Sequence, residues 1–331
     1  MARAGVSSLA TLGPMSDADH THAPILTVTV NPALDVTTST DHVVPEHKLR
    51  CGQTRLDPGG GGINVSRAIR NLGGTTTALY TAGGPTGQAY RQLLEHEGIA
   101  ARAIPIAGST RESFTVDELS TGEQFRFVLQ GPQFAEHEWR AVLAAIDREL
   151  PEGGYIVASG SLPPGVPDDF YARIAQLAAQ RHARAIVDSS GPSLRAALDE
   201  GVHVVAPSRR ELAQLVGADL ADLAAQVAAA QTLVKDGRSA LVALTLGGDG
   251  AVLVSGDQVL RLPAAAVTVQ STVGAGDAFL AGLVLRLAQG RSAAEAFRTA
   301  VASGAATAAL PGTGLGDAAT VARLEETLTA T

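Results

Sequence analysis

Residues 271–284 read STVGAGDAFLAGLV. Three residues with little or no side chain, Gly274, Ala275 and Gly276, stand directly before an acid, Asp277, and an apolar run follows. Backbone N–H groups that point one way at a helix N-terminus form an anion site, and small residues let a phosphate approach them closely. A helix opening near Asp277 adds the positive end of its dipole. The carboxylate has two readings. Acids at helix starts commonly serve as caps, for stability alone. In phosphoryl transfer the same position serves chemistry, because the moving group needs its charge stabilised and the attacking hydroxyl needs a proton acceptor.

Working outward, a second glycine run, DPGGGGINVSRA at 57–68, follows a loop and opens a helix. Glycines placed directly before an amphipathic turn point to close approach of a ligand rather than to a slack connector. Asn64 offers an amide that both donates and accepts, which suits sugar hydroxyls. A third glycine-rich stretch, TLGGDG at 245–250, follows a buried-strand pattern. By itself it could equally be a hairpin turn. Neither GxxxxGK[ST] nor a strand-bound GxGxxG occurs.

Around these motifs, apolar β-type runs alternate with helical patterns: ILTVTV, GINVSRAIRNLGG, TTTALYTAG, TGQAYRQLLEHEG, then GYIVASG, DDFYARIAQLAAQ, ARAIVDSS, HVVAPS, RELAQLVG and ALVALTLGG. Repeated strand–helix units predict an α/β fold, a mostly parallel sheet covered by helices on both faces. Two segments break the rhythm. DVTTSTDHVV (35–44) and ESFTVDELSTGEQFRFVLQ (112–130) alternate apolar with polar residues, the pattern of strands with one wet face, and Thr121 and Gly122 mark a hairpin turn. They predict a small second sheet, with lid segments near 35–56 and 108–131. Phe114, Val116, Phe125 and Phe127 on that sheet lead us to expect pairing with another copy, a homodimer whose lids cover each other's clefts.

The 331-residue chain is 45% hydrophobic but only 4% aromatic, so its core is built mainly from Ala, Val and Leu. A net charge of −8 argues against a nucleic-acid-binding face while leaving room for a local basic pocket. The single cysteine, Cys51, excludes an internal disulfide and a Cys-based zinc site. His20, His22, His42 and His47 lack metal spacing. No apolar run is long enough to span a membrane, about 18 residues. Residues 1–23 lack the apolar core of a signal peptide and read as a flexible extension of a single domain over 24–331, and the protein as cytoplasmic.

TVGAGDAFLAGL resembles the C-terminal signature of the ribokinase/PfkB carbohydrate kinase family, and PGGGGINVSRAIRNLGG resembles its N-terminal signature. VNPALD, GSLPPGVPDDFY, IVDSSG and TLGGDGA extend the likeness, in order, across residues 25–315. The resemblance implies a ribokinase-like fold and an ATP- and Mg2+-dependent sugar kinase, with K+ as a further candidate cofactor. It makes Asp277 the base and Gly274, Ala275 and Gly276 the anion hole. Asp35 then meets sugar hydroxyls with Gly60, Gly61 and Asn64. Lys48, Arg50 and Arg111 resemble the cations that meet a phosphate on the sugar. Arg111 is the best suited, since Arg grips phosphate oxygens bidentately; Lys48 and Arg50 also read as solvated lid charges. The Thr245, Gly247 and Gly250 loop looks like the nucleotide loop, with Ser208, Ser271 and Val273 on the same side. Glu211 resembles the acid that organises water around magnesium.

Within the family, EHKLRCG, DPGGGGINV, STRESFTV and GEQFRFVLQGP are most similar to the minor 6-phosphofructokinase branch. The 1-phosphofructokinase and tagatose-6-phosphate kinase branches usually carry a lysine inside the glycine run, which is absent here. The expected reaction is therefore fructose 6-phosphate plus ATP giving fructose 1,6-bisphosphate. The alternatives are a kinase of fructose 1-phosphate or tagatose 6-phosphate, and a catalytically weak sugar-phosphate sensor. Only one departure favours the sensor: where the family reads K-P-N-x-x-E this chain has APSRRE, with Ala206 and Ser208 in place of lysine and asparagine.

Overall fold

The computed structural model describes residues 22–256 and 258–328. In chain order its strands are β1 (Ile25–Thr29), β2 (Ala33–Thr40), β3 (Arg55–Gly59), β4 (Thr77–Ala82), β5 (Ala101–Pro105), β6 (Arg111–Glu118), β7 (Gln124–Val128), β8 (Tyr155–Ser159), β9 (Arg184–Asp188), β10 (Val202–Val205), β11 (Ser239–Thr245), β12 (Ala251–Ser255) and β13 (Gln258–Leu262). The helices are α1 (Gly61–Asn71), α2 (Gly84–His96), α3 (Glu136–Glu149), α4 (Phe170–Gln180), α5 (Gly191–Glu200), α6 (Arg209–Val216), α7 (Leu223–Lys235), α8 (Ala275–Ala288), α9 (Ala293–Ala308) and α10 (Ala318–Thr327).

Nine strands form the main sheet, in the order β13-β12-β11-β10-β9-β8-β1-β4-β5. Neighbours are parallel from β5 to β11 and antiparallel from β11 to β13. The central strands are apolar throughout because both faces are covered. Tyr155 and Val157 of β8 pack on the side of α1, α8 and α9, whereas Ile156 and Ala158 face α3, α4 and α5. Helix α8 is apolar nearly all round, since it lies between the sheet and α9. From β1 the chain first builds outward to β4 and β5, then returns to build β8, β9 and β10 on the other side. The resulting switch point, between β1 and β8, is where an open α/β sheet leaves a crevice beyond its strand ends.

The predicted second sheet is present, in the order β3-β2-β6-β7. Residues 55–59, read as a loop from sequence, are its edge strand, antiparallel to β2. Gly122 adopts φ 73° in the turn between β6 and β7, as the hairpin reading required. The Tyr90 hydroxyl anchors the sheet's base, donating to the Gly59 carbonyl at 2.7 Å. Of the extension read over 1–23, residues 1–21 lie outside the described residues. His22 and Ala23 belong to the folded domain: His22 Nε2 accepts from the Thr75 amide at 3.1 Å, and the Ala23 amide donates to the Ala288 carbonyl at 2.9 Å.

Candidate active site

The two glycine-rich helix starts meet at the switch point. Gly274 takes φ 75°, a left-handed conformation that β-carbon-bearing residues rarely adopt, and so ends the incoming turn and starts α8. Asp277 then falls in the first turn of α8, but its carboxylate does not cap the helix. It reaches α1 instead, where Asn64 Nδ2 donates to Asp277 Oδ2 at 2.9 Å. The carboxylate is thus engaged between α1 and α8 and is not used as a cap. The first-turn amides of α8 have no acceptor within the helix and point outward beside the carboxylate.

Burial pushes the Asp277 carboxyl up to about 7, with repulsion from Asp188 and Asp35 adding to it and the Asn64 hydrogen bond opposing it. The Asp35 carboxyl is raised to about 6 by burial, against the pull of Arg111 and Arg126. Asp35 sits where the lid meets the sheet, pressed against the backbone of Gly59, where a β-carbon would lie 2.0 Å from Asp35 Oδ2 and force the carboxylate to move. Gly60 and Gly61 form the N-terminus of α1 in the same crevice.

Arg111 is held at the base of the lid, at the start of β6. Its Nε and Nη2 donate to the Asn31 carbonyl at 3.3 and 3.1 Å, and its Nη1 donates to the Leu129 carbonyl at 3.1 Å. It lines a cavity of about 580 Å3 with Asn31, Ser161 and Asp168. Lys48 and Arg50 are not brought there. Both are exposed on the 41–54 loop, and neither forms an ion pair or hydrogen bond among the described residues. The loop is held near its ends, by the Val43 amide on Glu118 Oε1 and the Gly52 amide on the Ser39 carbonyl, both at 2.8 Å, and between them Lys48 and Arg50 face solvent.

On the other side of Asp277 lies a cavity of about 500 Å3, lined by Thr245, Gly247, Gly248, Gly250, the 264–269 segment, Phe279 and the α9 face carrying Gly304 and Ala308. The TLGGDG stretch is both things the sequence allowed: the connection from β11 to the antiparallel β12, and a wall of this cavity. Between Ser271 and Val273 it is Thr272 that lines the cavity. Ser271 is buried, and its Oγ accepts from the Val273 amide at 3.2 Å, shaping the turn before Gly274.

Ser208 has a different role from the expected cofactor contact. It is the N-cap of α6: its Oγ accepts from the Glu211 amide at 3.3 Å, and its amide and Oγ each donate to Glu211 Oε2 at 2.8 Å. Arg209 pairs with Asp249 of the TLGGDG turn at 2.6 Å. Glu211 stays near the cleft, and its charge helps burial raise the neighbouring Asp188 carboxyl to about 6. Sequence reading missed Asp188 as a site residue; the signal was an acid at the C-terminal end of a buried strand, inside IVDSSG. It also missed Ser161 and Arg126. Arg126 stands opposite Thr115 and shares the lid's polar face with Asp35.

With this geometry in hand, comparison with known proteins is decisive. Residues 30–319 match the pfkB family carbohydrate kinase description. The chain belongs to the pfkB carbohydrate kinase family. It is 45% identical over 289 residues to ATP-dependent 6-phosphofructokinase isozyme 2 of Mycobacterium tuberculosis, covering 87% of this chain and 85% of that one. The crystal structure of phosphofructokinase-2 from Escherichia coli in complex with potassium superposes with a TM-score of 0.89 at 38% identity, covering 92% of this chain and 99% of that one. The same enzyme in complex with fructose-6-phosphate gives 0.87 at 36%, with the same coverage. The pfkB kinase described here is thus a phosphotransferase with an alcohol acceptor on the ribokinase-like fold. No helix among its described residues is long and apolar enough to cross a membrane.

Proposed function

We propose that this kinase transfers the γ-phosphoryl group of ATP to the free primary hydroxyl of fructose 6-phosphate in the cytoplasm, giving fructose 1,6-bisphosphate and ADP. The observation that carries the reading is the Asn64–Asp277 pair at 2.9 Å, standing between an apolar cavity and a cleft that holds Asp35 and Arg111. The cavity with the TLGGDG wall takes the nucleotide. Asp35 and Asn64 take sugar hydroxyls, and Arg111 takes the sugar's phosphate. The sugar oxygen bonds to the γ-phosphorus as the bond to the bridging oxygen breaks, and the hydroxyl proton passes to Asp277. A carboxyl held near 7 is well matched to that task at neutral pH. The α8 amides stabilise the charge on the equatorial oxygens.

Asp188 and Glu211 suit a hydrated Mg2+. Burial and the Glu211 charge raise the cost of the Asp188 charge, and a divalent cation would relieve it. Bound there, the metal would supply charge neutralisation to the nucleotide phosphates. Potassium is proposed as well, on the strength of the E. coli complex.

We also propose a homodimer. In the lid, Leu56, Val36, Phe114 and Phe127 line up in register on the face opposite Asp35, with Val116 and Phe125 beside them. Phe127 is 52% exposed and Leu56 43%, an apolar sheet face that a second copy would cover. A partner's lid is also the route by which Lys48 and Arg50 would reach a cleft.

The test is an ATP-coupled assay with fructose 6-phosphate, fructose 1-phosphate, tagatose 6-phosphate and free fructose. Fructose 6-phosphate is expected to give the highest kcat/KM. A preference for the free sugar or for fructose 1-phosphate, or no transfer to any of them, overturns the reading.

A further inference from the structure

Besides Arg67 of α1, which reaches Asp57 and the Pro58 carbonyl, one side-chain hydroxyl from the loop after α9 ties the lid to the nucleotide side of the molecule. Thr313 is buried in the 310–316 loop that follows α9. Its Oγ1 accepts from Arg55 Nη2 at 2.5 Å and donates to Asp57 Oδ2 at 2.7 Å, while Arg55 Nε donates to the same Asp57 oxygen at 2.7 Å. Arg55 and Asp57 both lie on the lid edge strand β3, and Asp57 is the register partner of Asp35. Beyond Asp57 the strand presses Gly59 against the Asp35 carboxylate. A shift of β3 therefore moves the group that meets the sugar.

The other end of the Thr313 loop is tied to the nucleotide side. Leu315 packs over Gly274 at the start of α8, close enough that a β-carbon on Gly274 would lie 3.2 Å from Leu315 Cδ2. The Gly316 amide donates to Thr307 Oγ1 at 3.1 Å, on the helix whose Gly304, Ala305 and Ala308 wall the nucleotide cavity. Asn71 of α1 donates to the Leu315 carbonyl at 3.3 Å, adding a link to the Asn64 helix.

We propose that Thr313 is a positioning residue that couples nucleotide binding to the lid, so that nucleotide and sugar phosphate tighten each other's binding. This rests on the proposed sites for the two substrates. A nucleotide that fixes α9 and the start of α8 fixes the loop, the loop fixes β3 through the Thr313 hydroxyl, and β3 sets Asp35. Because coupling between two binding equilibria is reciprocal, the sugar phosphate orders the nucleotide side by the same factor.

The test uses the full chain and two variants. Thr313→Val keeps the shape and removes the hydroxyl; Thr313→Ser restores it. Hydrogen exchange with MgAMP-PNP alone is independent of the sugar's identity. In wild type the nucleotide should slow exchange both at 264–279 and at 53–60. In Thr313→Val it should protect 264–279 only, and Thr313→Ser should recover both. Calorimetry gives the second readout: MgAMP-PNP should lower the Kd for fructose 6-phosphate by about tenfold in wild type and by less than about twofold in Thr313→Val. Protection of 53–60 that survives in Thr313→Val, or that is absent from wild type, overturns the coupling. Wild type unprotected at 264–279 removes the nucleotide site itself, and the coupling with it. Normal lid protection without fructose 6-phosphate binding overturns the substrate reading and leaves the nucleotide–lid link standing.

Discussion

In the proposed reaction Asp277 is the residue that takes the hydroxyl proton. Asp277→Asn is expected to lower kcat by about 10²–10⁴, the usual worth of a general base, with little change in sugar-phosphate affinity by calorimetry. A variant within about tenfold of wild type would take Asp277 out of that role. The same substitution should stabilise the fold. The folded carboxyl titrates near 7 instead of 3.8, so between those values the native state binds the extra proton and stability falls as pH rises, with the full cost present above pH 7. Asp277→Asn should therefore raise Tm at pH 8, with the gain fading toward pH 4. Asn64 supplies the opposing pull. The acid limb of kcat/KM should lie near pH 7, and Asn64→Ala should move it upward, because the lost hydrogen bond favoured the charged form. A limb that stays put or moves down assigns the titration to another group.

Helix α6 explains the departure at APSRRE. An asparagine that would point toward a nucleotide is replaced by a serine that, with Glu211, closes a reciprocal capping box. Ser208→Ala should cost about 0.5–2 kcal/mol by thermal or denaturant unfolding. Ser208→Asn keeps an equally good cap, so its Tm should hold while its magnesium requirement falls if that position faces the metal. A Ser208→Asn protein as dependent on magnesium as wild type shows that the substitution is compensated, with Arg209 held on Asp249 as the nearest available cation. The helix shows that Ser208 keeps the capping role an asparagine would also fill. The substitution itself was legible, but the direction of the side chain depends on where α6 begins.

For the whole molecule, the proposed homodimer rests on the lid's exposed apolar face. Phe127→Glu puts a charge at the exposed end of the Leu56–Val36–Phe114–Phe127 row, and light scattering should shift from dimer to monomer with activity reduced, since Lys48 and Arg50 would lose their route to a cleft. A wild-type protein that is monomeric and fully active at assay concentration ends the dimer proposal.

The sequence by itself determined the strand–helix alternation, the two glycine-rich helix starts with Asp277 and Asn64, and the wet-faced lid strands, because local periodicity and small residues at fixed spacing leave few alternatives; Asp35 came only through the family resemblance. Only the tertiary structure decided what those pieces do together. Asp277 and Asn64 are 213 residues apart and meet only because α8 packs on α1. Asp188 becomes a site residue because β9 ends beside the switch point, near Glu211. Thr313 looks like an ordinary loop threonine until β3, 256 residues away from it at Asp57, is laid against its loop. Lys48 and Arg50 carry the sequence pattern of site cations, yet one chain leaves them in solvent, because a charge finds its partner through the packing of distant elements and not through its neighbours in sequence.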